Sequence, residues 1–181
     1  VAKRKSSNPT WSDVKPTIVN MDQKQLVKLV ADLYRFSKEN QAFLHARFGV
    51  GDDPLAPYKK MIDECMYPDI YGPIQISKAK RAISNYSKAV GDLLGEIELM
   101  IFFVECGNKF TLDFGDIDEE FYDALNRMYQ RVIQSVLSLP EEQRSGFQER
   151  LEKIMTSSSG IGWGYHDMLS EDYYRAFPED Y

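Results

Sequence analysis

The sequence predicts an all-α protein, with a compact multi-helix bundle among its possible arrangements. Three observations predict it. Apolar residues recur at the 3 and 4 spacing of one helical face in several separate windows. Capping residues and glycines punctuate those windows where helices start and stop. No segment sustains the period-two alternation of a half-buried strand, and Lys109 to Phe114 is the lone strand candidate.

Residues 1–10 carry Lys3, Arg4 and Lys5 with Ser6, Ser7, Asn8 and Pro9, too little apolar content to pack, and read as a disordered basic tail. Residues 11–181 read as a single helical domain. Ser12 caps a short segment through Val14 and Ile18, with Pro16 tolerated in the first turn. Asp22 followed three residues later by Gln25 is a capping-box start, after which Leu26, Leu29, Val30 and Leu33 share one face. Ser37 supplies a second cap, and Phe43, Leu44 and Phe48 carry the pattern to Gly49-Val50-Gly51. Asp53 as cap and Pro54 at the first helical position reopen a helix through Tyr58, Ile62 and Cys65 to Pro68. The stretch from Tyr67 to Gln75, with two prolines and a glycine, reads as a connector.

Ser77 caps a helix containing Ala79, Ile83 and Tyr86 that ends near Gly91, and Asp92 caps the next, through Ile97, Met100, Ile101 and Val104 to Gly107. The latter is apolar on most sides and is therefore placed at the centre, since burial on several faces is what removes such a surface from water. Asp116, Asp118, Glu119 and Glu120 lead into the long amphipathic run Phe121, Leu125, Met128, Tyr129, Val132, Ile133 and Val136. Ser138-Leu139-Pro140-Glu141 reads as another capping box with proline just inside its helix, continued by Phe147, Leu151, Ile154 and Met155. After Ser157-Ser158-Ser159-Gly160, a last helix runs from about Tyr165 to Phe177. The expected core includes Leu29, Leu33, Ile101, Met128 and Ile133, with Gly91, Gly107 and Gly160 near helix ends.

Composition narrows the function classes. A chain of 181 residues with 43% hydrophobic and 28% charged residues lies in the range of one folded domain. Lys+Arg 22 against Asp+Glu 28, with a pI near 5.0, argues against a dedicated nucleic-acid binder. The most apolar stretch, Ile97 to Val104, contains Glu98 and falls far short of the roughly 20 residues of a membrane span. Cys65 and Cys106 belong to no CxxC or Cys/His cluster and read as buried thiols, and no apolar segment follows the basic start. Together these features predict a cytoplasmic protein in a reducing compartment.

The strings KQLVKLVADLY and FLHARFG (Lys24 to Gly49), SKAKRAIS (Ser77 to Ser84), GDIDEEFYDAL (Gly115 to Leu125) and GWGYHDML (Gly162 to Leu169) give the chain a resemblance. It resembles an uncharacterised family of small bacterial helical proteins, a domain of unknown function, over about residues 12 to 170. The resemblance implies stacked antiparallel helix pairs, irregular and HEAT-like. It implies no reaction, ligand or site residue.

Candidate chemistry concentrates in GIGWGYHD, Gly160 to Asp167, where His166 and Asp167 could form an acid–base pair. A helix rather than a strand precedes these glycines and the spacing is G-x-G-x-G, so this is no dinucleotide loop. The structural reading is a glycine-rich turn with Trp163 plugging the core and His166 near a helix start. The acidic run from Asp113 to Asp123 lacks the glycine and bidentate glutamate of a calcium loop, Phe121 and Arg127 standing there instead, and reads as helix N-terminal carboxylates. His45 has no second ligand at helical spacing, so no metal is expected, and no cofactor. Lys78, Lys80 and Arg81 read as a solvated basic face.

Helix faces and caps without a convergent polar motif predict a non-catalytic helical module for protein–protein interaction or self-association. The alternatives are a small hydrolase using His166 and Asp167, and a nucleic-acid accessory protein using the basic N-terminal arm. The candidate ligand or partner surface is Trp163, Tyr165, His166, Asp167, Tyr173 and Tyr174, aromatic groups with polar handles beside carboxylates.

Overall fold

The computed structural model describes residues 8–69 and 72–178. Lys3, Arg4 and Lys5 of the expected tail, and Glu179 to Tyr181, lie outside the described residues. Every regular element among those described is helical. Internal contacts divide the chain into two units, with the boundary between Leu44 and His45.

The N-terminal unit holds α1 (Trp11–Val19), α2 (Gln23–Phe36) and the larger part of α3 (Lys38–Phe48). Helix α1 starts two residues earlier than expected. Thr10 precedes it, its backbone N–H and hydroxyl both donating to the Asp13 carboxylate at 2.7 and 2.9 Å, so Ser12 lies inside the first turn. At α2 the expected capping box is present: Asp22 accepts from the Gln25 N–H at 2.8 Å, and the Gln25 side chain accepts from the Asp22 N–H at 2.9 Å. Ser37 accepts from the Asn40 N–H at 3.1 Å and opens α3. Neither α1 nor α2 contains a buried residue. The expectation that Leu29 and Leu33 are core is thereby corrected, since Leu29 is half-buried and Leu33 is 49% exposed. Periodicity identifies the apolar face of a helix and is silent on whether anything covers it.

From His45 onward the helices are α4 (Ala56–Met66), α5 (Ile76–Val90), α6 (Leu93–Phe114), α7 (Glu119–Leu137), α8 (Ser145–Ser157) and α9 (Tyr165–Ala176). Helix α4 begins at Ala56 rather than at Pro54, because Asp53 accepts from the Leu55 N–H at 2.8 Å in a turn ahead of the helix. Helix α5 begins at Ile76, which puts Ser77 inside it rather than at its cap. Asp92 caps α6 as expected, accepting from Leu94 N–H at 3.1 Å and Gly95 N–H at 2.9 Å. That helix does not stop at Gly107. It runs on to Phe114, so the strand candidate Lys109 to Phe114 is helical and Gly107 is an interior position. A Cβ on Gly107 would come within 2.5 Å of the Leu125 side chain, which explains the glycine as a close approach of α6 to α7 rather than as a stop signal.

Asp118 caps α7 through the Phe121 N–H at 2.8 Å. Beyond α7, Pro140 leads into a short 3-10 turn, Glu141–Gln143, and α8 starts only at Ser145, so the expected capping box at Ser138 does not form. Arg144 instead donates to the carbonyls of Leu139 at 2.8 Å and Leu137 at 2.9 Å, satisfying acceptors that the end of α7 leaves open.

Helix α4 packs on α5, α6 on α7 and α8 on α9, while α6 also meets α4, α5 and α8. The result is three helix pairs in sequence with α6 in the middle, as its all-round apolarity predicts. Ile97, Leu99, Met100, Ile101, Phe103 and Val104 are all fully buried. Met128 and Ile133 of α7 are buried with them. One polar network crosses this stack. Lys59 of α4 lies 2.6 Å from Glu98 of α6, and Arg150 of α8 joins Glu98 and grips Glu105 with two nitrogens at 2.8 and 2.7 Å. Glu98 thus ties three helices together.

Candidate functional site

The segment Gly160 to Asp167 bridges α8 and α9, and its geometry follows from three left-handed residues. Gly160 and Gly164 have φ of +87° and +66°, and Trp163 between them has φ of +59°. Trp163 is 55% exposed, so the expectation that it plugs the core is corrected. The bend that brings α9 back onto α7 and α8 turns the indole outward. Gly162 lies directly on the α6–α7 loop: its N–H donates to Asp116 at 3.4 Å, and a Cβ there would stand 2.6 Å from the same carboxylate. Asp116 also accepts from the Tyr122 hydroxyl at 3.0 Å. With its proton committed, that hydroxyl accepts from the Ile117 N–H at 3.4 Å and the Thr111 hydroxyl at 3.3 Å.

His166 sits in the first turn of α9 and faces the end of α8. Its Nδ1 is 3.0 Å from the Met155 carbonyl and 3.0 Å from the Ser158 hydroxyl, while Ser158 itself donates to the Met155 carbonyl at 2.6 Å. A carbonyl only accepts, so the arrangement is satisfied when Nδ1 carries the proton and Ser158 keeps its own. Nε2 then presents its lone pair toward the Ser170 hydroxyl at 3.5 Å. A nucleophilic serine requires the opposite polarity, with the imidazole accepting the hydroxyl proton. Ser158 is moreover fully buried. The group closes the open carbonyl end of α8 with side chains, which is a structural task.

The other expected surface residues divide by burial. Tyr165 and Tyr173 lie in the interior, whereas Asp167 and Tyr174 are exposed. Consecutive helical positions point about 100° apart, so Asp167 turns away as His166 turns inward. Among the described residues, the hydrogen bonds of His166 run to Ser158, Met155 and Ser170 and not to Asp167. Tyr165 packs against Tyr122 with ring centroids 5.1 Å apart, its buried hydroxyl has no hydrogen-bond partner among the described residues, and burial raises its pKa. Tyr129 donates to the Leu151 carbonyl at 3.0 Å. These tyrosines form an interior cluster joining α7, α8 and α9, and the outward surface here reduces to Trp163, Asp167 and Tyr174.

Cys65 and Cys106 are free, buried thiols. Burial first, and then the nearby Asp63 carboxylate 3.8 Å away, pushes the Cys106 thiol up to about 12, so it stays protonated and unreactive. Among the described residues no three His, Cys, Asp or Glu side chains gather as metal ligands. No helix among them is long and apolar enough to cross a membrane. Comparison with protein-family models, curated proteins and solved structures finds no match to this chain.

An uncovered apolar face stands elsewhere, on α2. Leu26, Val30 and Leu33, spaced along one face, are 37%, 47% and 49% exposed. Lys24, Lys28 and Arg35 lie on the same helix. Sequence reasoning placed Leu29 and Leu33 of this helix in the core; the basic flank and the chain's charge asymmetry were legible in the sequence as well.

Proposed function

We propose that the chain is a non-catalytic helical interaction module that self-associates, the basic N-terminal helices of one copy docking on the acidic body of a second. The exposed apolar face of α2 carries this reading. A helix with apolar residues segregated to one side gains stability chiefly by burying that side, and α2 buries none of its residues. The charge distribution selects the occupant: eight of the 22 Lys+Arg but only four of the 28 Asp+Glu precede His45. Pairing α2 with another α2 would set Lys24, Lys28 and Arg35 against their own kind, whereas the remainder of a second copy offers opposite charge. Reciprocal docking gives a two-fold dimer with two such contacts. The hydrolase alternative, which needs His166 and Asp167 together, loses support because the hydrogen bonds of His166 among the described residues run to Ser158, Met155 and Ser170 while Asp167 is exposed.

Sedimentation equilibrium of the full chain tests the proposal. The expected result is a dimer whose dissociation constant rises with salt, as opposite charges at an interface require. Leu33→Glu weakens it by about tenfold or more, roughly 1.4 kcal/mol, with unchanged far-UV circular dichroism because the position is exposed. A wild-type chain that stays monomeric at about 100 μM, a concentration at which even a weak interface of about 5.5 kcal/mol is half occupied, overturns it.

A further inference from the structure

Helix α5 carries Lys78, Lys80, Arg81 and Lys88 and no acidic residue, within a chain whose formal charge is −6. Lys80, Ser84, Ser87 and Lys88 share one side of it. Across a groove of about 370 Å³ stand Arg127 and Arg131 of α7, and the buried side chains of Ile83 and Met128 form its floor. Lys78 and Arg81 are exposed, as the sequence suggests for this cluster, whereas Lys80 is half-buried and lines the groove.

Two of the four cations in the groove, both lysines, are not balanced by a carboxylate among the described residues. Glu96 is the single carboxylate lining it, and it is already engaged by Arg131 and by the Ser87 hydroxyl at 2.7 Å. Arg127 reaches Asp123 on its own helix at 3.6 Å. Lys80 and Lys88 pair with no carboxylate among the described residues. The wider groove nearby, of about 820 Å³, differs in this respect, since Asp118 and Glu120 stand there with Lys78 and Arg81.

We propose that the groove between α5 and α7 binds a small organic anion carrying at least two phosphate or similarly charged groups. Lys80 and Lys88, with Arg127 and Arg131 across from them and the Ser84 hydroxyl beside the lysines, match several anionic oxygens, and the Ile83–Met128 floor receives the carbon part of the ligand. The volume falls in the range of small-molecule sites. Burial and the neighbouring Arg127 both lower the pKa of Lys80, the strain that an incoming anion relieves.

Isothermal titration of the full chain with inorganic pyrophosphate tests this. The expected result is saturable binding at one site per chain, weakened at least about tenfold in the Lys80→Gln/Arg127→Gln double variant. Lys60→Gln, which changes an exposed lysine on α4, leaves the affinity unchanged. Should the double variant fail to fold, the exposed Lys88→Gln supplies the same comparison with a weakening of about threefold or more. Absence of saturation up to about 10 mM, or equal weakening by Lys60→Gln, overturns the proposal. A single-stranded oligonucleotide that displaces pyrophosphate at lower concentration overturns the assignment to a small ligand.

Discussion

Trp163 holds a bulky side chain at φ +59° while exposing more than half of it. The left-handed conformation costs an L-residue about 1–2 kcal/mol, and an exposed indole regains little of that through burial. Trp163→Gly therefore leaves stability within about 1 kcal/mol of the wild type or raises it, the relief being partly offset by the greater unfolded-state entropy of glycine. A fall of more than about 2 kcal/mol in chemical denaturation would show the indole to be buried after all. Apolarity alone suggested a core plug, because nothing in the residue type announces a positive φ. His166 was placed correctly near a helix start, but its partners Met155 and Ser158 belong to the end of the preceding helix and were invisible to local reading.

Glu98 carries the second prediction at this scale. Burial raises the pKa of its carboxyl, but the Lys59 hydrogen bond and the Arg150 charge outweigh that and hold it below its ordinary value near 4.5. A carboxyl depressed in the folded state contributes stability that is fully present above its unfolded pKa and lost as pH falls through the folded one. Glu98→Gln should accordingly cost about 1–2 kcal/mol near pH 7, discounted for partial solvent screening, and progressively less below about pH 4. Urea midpoints of the two proteins against pH check it. A gap that stays constant down to pH 2.5 would contradict the ion-pair account.

Among the elements, starts marked by a carboxylate were read correctly at Asp22 and Asp92 but not at Asp53, and starts marked by serine mostly were not. Asp22, Asp92 and Asp118 each accept backbone N–H bonds at their helix N-termini. Ser12 and Ser77 lie inside the first turn, and Ser138 follows α7 at its end. Serine is at home in each of these places, whereas an aspartate there also gains from the helix dipole, so its signal is the stronger one. Asp92→Ala should cost about 1–2 kcal/mol, because it frees two N–H groups of the central helix and also removes the acceptor of the Tyr86 hydroxyl, 3.1 Å away. A urea midpoint unchanged within error would mean that α6 does not need its cap. Gly107 misled in the other direction. A glycine that ends a helix and one that admits a neighbouring helix look alike until the packing against Leu125 is known.

For the whole molecule, the all-α class and the central place of α6 were legible because a helix apolar on most sides has few alternatives to burial. The N-terminal helices show where that logic stops. The face of α2 is patterned as strongly as that of a core helix, yet α2 holds no buried residue, and apolar periodicity alone does not distinguish a face buried within its own chain from one that a second copy covers. The charge asymmetry favours the second, and the proposed dimer is therefore the central claim. The most direct measurement is an isotope-filtered NOE experiment on a mixture of two preparations of the full chain, one with labelled Leu and Val methyls and the other unlabelled. The account predicts cross-peaks from the methyls of Leu26, Val30 and Leu33 to protons of the unlabelled copy in residues after Leu44. A dimer that gives no such cross-peaks, or gives them only to the α2 of the other copy, would contradict it.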